Sequence, residues 1–121
     1  MKTVKFRVVI DLGDKIGTDI NVELTNEEYN RILSVKDKPE TEQYAELEDI
    51  LDRVCDETIE REVKYIREDP SLIENYIHDE EDLAQLQEQG YKNFVECLDD
   101  AAILNIICDN ASFTAKVPEL N

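Results

Sequence analysis

Apolar and polar residues alternate one for one near the start of this chain. Val4, Phe6, Val8, Ile10 and Leu12 fall on one side of an extended backbone, and Lys5, Arg7 and Asp11 on the other. Period-two alternation is the mark of a strand with one buried face. Gly13-Asp14-Lys15-Ile16-Gly17 supplies two glycines for a turn or loop, and Ile20, Val22 and Leu24 resume the alternation. Two such runs joined by a glycine-bearing connection predict a β-hairpin.

At Thr25 the period changes. Thr25-Asn26-Glu27-Glu28 has the T-x-x-E form of a capping box, in which hydroxyl and carboxylate each accept the other residue's amide. The helix it opens carries Tyr29, Ile32 and Leu33 and should end near Lys36, because Pro39 disfavours helix in the residue before it. Thr41 is placed to cap a long helix reaching about Glu68. Tyr44, Leu47, Leu51, Val54 and Cys55 form its first apolar line, and Ile59, Val63 and Ile66 its second. The second line is rotated from the first by roughly a quarter turn at about 100° per residue. The helix therefore either bends near Asp56-Glu57-Thr58 or crosses two neighbours.

Ser71 can cap a short helix with Leu72, Ile73, Tyr76 and Ile77. Asp79-Glu80-Glu81-Asp82 reads as the acidic first turn of another, with Leu83 and Leu86 inward and Gly90 as its stop. From Tyr91 the positions of Phe94, Val95, Leu98, Ala101 and Ala102 are helical, while residues 103–108 are apolar nearly all round and fit a buried helix end or a strand. Ser112 to Val117 alternates again. A lone hairpin is marginal, so a third strand beside it is expected. The predicted fold is α+β, in the order β-β-α-α-α-α-β. The hairpin and the C-terminal strand share one small antiparallel or mixed sheet, packed by four or so helices in a single domain, residues 1–121.

Charge changes the picture most. Thirty Asp and Glu oppose 13 Lys and Arg, a formal net charge of −17. Residues 37–82 hold 18 acids against 5 bases, and so 13 of the 17 surplus negative charges. Such a chain is repelled by nucleic acid and by anionic membrane, and drawn to basic surfaces. Within the acidic stretch Glu42, Glu46, Asp49, Asp52, Asp56 and Glu60 are spaced by three or four, which sets all six along one side of the long helix. At 1.5 Å rise per residue that is one carboxylate per roughly 5 Å, against a phosphate about every 3.4 Å along a DNA strand. Mimicry of a nucleic-acid backbone is physically possible at that density. The competing reading is a solvated face, supported by the i to i+4 pairs Asp49–Arg53, Glu57–Arg61 and Glu60–Lys64, each with the acid first.

Other chemistry is sparsely provided for. No run of about 18 apolar residues is available to span a membrane, and the alternating start does not read as a signal peptide. Cys55, Cys97 and Cys108 are odd in number and widely spaced, without a C-x-x-C pair, which suits small buried hydrophobes in a reduced cytoplasmic protein. His78 is the single histidine and no H-x-x-x-H pattern surrounds it. The acidic run at 79–82 lacks the alternating oxygens and sixth-position glycine of a calcium loop. The three glycines form no lysine-bearing phosphate loop. No catalytic residue, metal ligand or cofactor can be nominated.

The expectation is accordingly a non-catalytic acidic protein of the inhibitor, immunity or antitoxin kind. Its six-carboxylate ridge would engage a basic protein surface, such as the nucleic-acid groove of a processing enzyme, without binding nucleic acid itself. The alternative is an interaction or scaffold domain whose acidity serves solubility only, and carboxylate-based catalysis comes third.

Overall fold

The computed structural model describes residues 1–120. The chain divides into two compact units. The first comprises Met1–Ile10, Lys15–Thr58 and the residues from Phe113 on; the second comprises Asp11–Asp14 and Ile59–Ser112.

The first unit holds the sheet. Strands β1 (Lys2–Asp11) and β2 (Lys15–Leu24) form the expected hairpin, and β3 (Ser112–Ala115) lies on the other side of β1 in a three-stranded antiparallel sheet of order β2-β1-β3. The Lys116 amide, just past β3, donates to the Arg7 carbonyl at 2.8 Å. Val4, Phe6, Val8 and Ile10 are all buried, as the alternation requires. The turn is tighter than the five-residue segment expected: only Leu12–Asp14 interrupt the strands, with Gly13 at φ +102° and its amide bonded to the Asp11 carboxylate at 3.0 Å. A side chain at that φ is strained, so glycine fits there. Gly17, by contrast, lies within β2, where an added Cβ would come 2.6 Å from the Arg7 guanidinium.

The capping box forms as read. The Glu28 amide donates to the Thr25 hydroxyl at 3.1 Å, and the Thr25 amide to the Glu28 carboxylate at 3.0 Å, opening α1 (Asn26–Val35). Ile32 and Val35 of this helix meet Phe6, Val8, Val22 and Leu24 of the sheet in one hydrophobic cluster. Truncating Phe6, which is fully buried, to alanine would cost about 3–5 kcal/mol.

The long helix expected from Thr41 is two helices, α2 (Glu40–Glu46) and α3 (Glu48–Glu68). Pro39, not Thr41, occupies the cap position, and the Gln43 amide reaches back to the Val35 and Lys36 carbonyls at the end of α1. Leu47 leaves helical geometry at φ −108°, ψ 12°, and is buried. Arg31 holds this break. Its guanidinium donates to the Glu46 carbonyl at 2.8 Å and grips both Asp49 carboxylate oxygens at 2.8 and 2.9 Å. No break occurs at residues 56–58, where α3 is continuous and the buried Thr58 hydroxyl donates to the Val54 carbonyl. The rotated apolar line has another cause: Leu51 and Val54 belong to the first unit's core, while Val63 and Ile66 are buried in the second unit.

The second unit is helical. Asp69, rather than Ser71, caps a 3-10 helix (Pro70–Tyr76), accepting from both the amide and the hydroxyl of Ser71. Asp79 caps α4 (Glu80–Gln89), which stops at Gly90 with φ +81°. The helix expected from Tyr91 onward is again broken, into α5 (Tyr91–Glu96) and α6 (Asp100–Asn110), so residues 103–108 are helix. A second arginine holds this break: Arg67 donates to the Val95 and Leu98 carbonyls at 3.0 and 2.6 Å and pairs with Asp100. Helix ends leave carbonyls short of intrahelical donors, and in both places a distant guanidinium adds donors, at Val95 alongside the Leu98 amide. Ile73, Tyr76, Leu86, Phe94, Ile103 and Ile107 are among this unit's buried side chains.

Candidate functional site

All six ridge carboxylates are exposed. Glu42 and Glu46 stand on α2, and Asp49, Asp52 and Asp56 on the first-unit part of α3, with Glu60 on the stretch of α3 that belongs to the second unit. The break at Leu47 makes the ridge two successive rows rather than a single line. The members differ in electrostatic state. Lys38 pairs with Glu46, and Arg31 holds Asp49 so closely that its pKa falls to about 2. Among the described residues Glu42, Asp52, Asp56 and Glu60 make no ion pair within 4 Å.

Two of the bases expected to neutralise the face, Arg53 and Arg61, have other partners. Arg53 pairs with Glu28 at 2.8 Å and also reaches the Glu23 carbonyl, so it ties α3 to the start of α1 instead of bonding Asp49 one turn back. Arg61 lies 3.7 Å from Glu62, with its guanidinium over the Tyr65 ring. For Arg53 a tertiary partner outcompetes the local one because its geometry is fixed by packing, whereas an exposed i to i+4 pair must order two long side chains for a few tenths of a kcal/mol.

Beside the ridge the first unit has a groove of about 360 Å³ that the sequence did not announce. Tyr44, Leu51, Cys55 and Phe113 form its apolar wall, and Ala45, Glu48 and Asp52 stand around it. Tyr44, Cys55 and Phe113 are partly buried side chains packed on the core, so the core reaches solvent here. The Cys55 thiol donates to the Phe113 carbonyl at 3.6 Å. Burial, with Asp52 and Asp56 nearby, pushes that thiol's pKa upward, against the opposing pull of the Ala115 backbone. Glu48 and Asp52 at i and i+4 beside Leu51 and Cys55 were visible in the sequence; Phe113, which completes the wall, was not.

The other two cysteines correct the expectation. Cys97, between α5 and α6, and Cys108, on α6, are both exposed. His78 is exposed as well. Among the described residues no three His, Cys, Asp or Glu side chains gather as a metal site, and no helix is long and apolar enough to cross a membrane.

The second unit has a larger groove of about 660 Å³ between the α4–α5 region and Arg67. Its cations are engaged: Arg67 by Asp100 and two carbonyls, Lys92 by Glu96 at 4.0 Å. Nearby Tyr76, buried and donating to Glu62 at 3.3 Å, has its phenol pKa raised far above the ordinary value by burial and then by the Glu62 charge. A phenol held neutral in this way packs and bonds; it is not an activated nucleophile. No protein-family model, curated protein sequence or solved structure matches this chain.

Proposed function

We propose that this chain is a non-catalytic, cytoplasmic acidic binding protein that engages a basic surface on a protein partner, as inhibitors, immunity proteins and antitoxins do. One observation carries the reading: Glu42, Asp52, Asp56 and Glu60 are exposed and without an ion pair among the described residues, on a chain of net charge −17. Negative potential of that kind draws a cationic surface before contact and repels nucleic acid. A groove that binds nucleic acid has the complementary charge, so an enzyme acting on nucleic acid is the favoured partner.

The test begins with affinity capture from host extract at low salt and elution with a salt gradient. Association of the captured partner is then followed for the triple reversal Asp52→Lys, Asp56→Lys, Glu60→Lys. Asp49 is left alone because it secures Arg31. The expected result is association slowed about tenfold or more, with a shallower salt dependence, since steering acts at long range and is screened within about 8 Å at physiological ionic strength. Glu119→Lys serves as the control and should change little. Unchanged association and salt dependence in the triple variant would reduce the ridge to a solvated face serving solubility.

A further inference from the structure

We infer that the groove beside β3 seats one arginine side chain of the partner, with Glu48 and Asp52 as its carboxylates and Tyr44, Leu51 and Phe113 as its apolar wall. The inference rests on the binding role proposed above and gives it a specific anchor.

The groove combines two properties that separately mean little. Its wall is apolar and semi-exposed, continuous with the core through Leu51. Its rim is anionic, and among the described residues no lysine or arginine lines it. An aliphatic partner side chain would cover the wall but leave the carboxylates facing nothing. A small cation would meet the carboxylates but leave the wall wet. A long side chain with an apolar stem and a cationic head satisfies both. Arginine fits better than lysine: its guanidinium is weakly hydrated, lies flat on aromatic rings and can bond two carboxylates in a fixed fork. Glu48 and Asp52, four apart on α3, have Cβ atoms about 5–6 Å from each other, a separation one guanidinium can bridge. Asp56, a further turn along, extends the negative track beyond the seat. The Cys55 thiol within the groove is shifted upward first by burial and only secondarily by the Asp52 and Asp56 charges.

The test uses the full chain and three matched peptides, acetyl-Gly-Gly-Xaa-Gly-Gly-amide with arginine, lysine or citrulline at Xaa, titrated by NMR at low salt. Arginine should shift the Ala45 and Leu51 methyl and Phe113 ring signals. Lysine should do so more weakly, and citrulline, the same shape without charge, should not. Ala45→Phe fills the groove at constant net charge, from an exposed helical position, and should abolish the shifts. The near-isosteric Glu48→Gln, Asp52→Asn variant should weaken binding about tenfold or more, as loss of charge-assisted bonds implies. Asp79→Asn, Asp82→Asn, an equal loss of charge in the second unit, should leave it unchanged. Shifts spread along the acidic surface and indifferent to Ala45→Phe would overturn the seat while leaving the binding role standing. Absence of any shift with arginine would also overturn the seat, while the binding role stands or falls on the salt-dependent association of the triple variant.

Discussion

Arg53 distinguishes what the local sequence suggests from what the fold does. It stands four residues after Asp49, the favourable order for a helical ion pair, yet its guanidinium bonds Glu28 at 2.8 Å. Two double-mutant cycles separate the pairs: Glu28→Gln with Arg53→Met, and Asp49→Asn with Arg53→Met. Glutamine keeps an acceptor for the Thr25 amide, and methionine keeps most of the arginine stem, so the first cycle isolates the ionic contact. A charge-assisted bond is worth about 1.5–3 kcal/mol when shielded. The Arg53 side chain is 42% exposed, although Glu28 is only 17% exposed, and solvent screening lowers the expected coupling to about 0.5–1 kcal/mol. For a chain of this size that is a difference of a few degrees in melting temperature. Urea unfolding followed by circular dichroism at neutral pH and low salt should resolve it. The Asp49 cycle should be additive. Coupling to Asp49 equal to or larger than that to Glu28 would refute the reasoning. There is also a pH signature. The Glu28 carboxyl is lowered from its ordinary value of 4.5, first by the Thr25 amide and then by Arg53, against some burial. A depressed carboxyl contributes stability that is present above that ordinary value and lost as pH falls through the lowered one. The Glu28→Gln deficit should thus shrink in acid.

Cys97 and Cys108 should react with a thiol reagent in the native state within the time of mixing, and Cys55 markedly more slowly, because burial keeps it a thiol; equal rates, read by mass spectrometry, would contradict the placement. NMR titration of Asp49 should find its carboxyl ionised down to about pH 2, and Arg31→Met should return it to the ordinary range. Deleting the residues from Ser112 onward removes Phe113 and Ala115 from the core and bares an edge of β1. The product should lose cooperative unfolding or aggregate, and an unchanged melting temperature would speak against the β1–β3 pairing.

Much of the fold could be read from the sequence because its signals are local. Alternation through Val4–Leu12, the Thr25–Glu28 box, and Asp79 with Gly90 each depend on neighbours a few residues away. The missed break at Leu47 is bridged by Arg31, and that before Asp100 by Arg67 together with the local Asp99 cap; the arginines' acceptors lie 15 to 18 and 28 to 33 residues along the chain. No periodicity in the helix itself records a donor that arrives from elsewhere. The candidate site divides in the same way. The six carboxylates were legible as exposed positions, but their division into two rows was not, because the break at Leu47 falls between Glu46 and Asp49. Which of them are engaged was not, since Arg31 and Lys38 come from other elements. The groove was hidden because Phe113 and Cys55 are 58 positions apart.

The place of β3 next to β1 also sets an order of events. The hairpin closes a turn of three residues, Leu12–Asp14, whereas the bond from Lys116 to Arg7 closes a loop of about 110 residues, at an entropic cost about 3 kcal/mol greater. Pairing of β1 with β3 should therefore come late, after the hairpin and the local helical turns have formed. Until then β1 keeps one ladder edge open while its apolar face is already collecting helices. Mutual repulsion among chains of such high charge would hold these waiting intermediates apart, so the acidity that steers a partner to the finished protein would also act as its guardian during folding. Substitutions in β3 would then hasten unfolding far more than they delay folding, a partition that stopped-flow kinetics on Phe113→Leu would reveal.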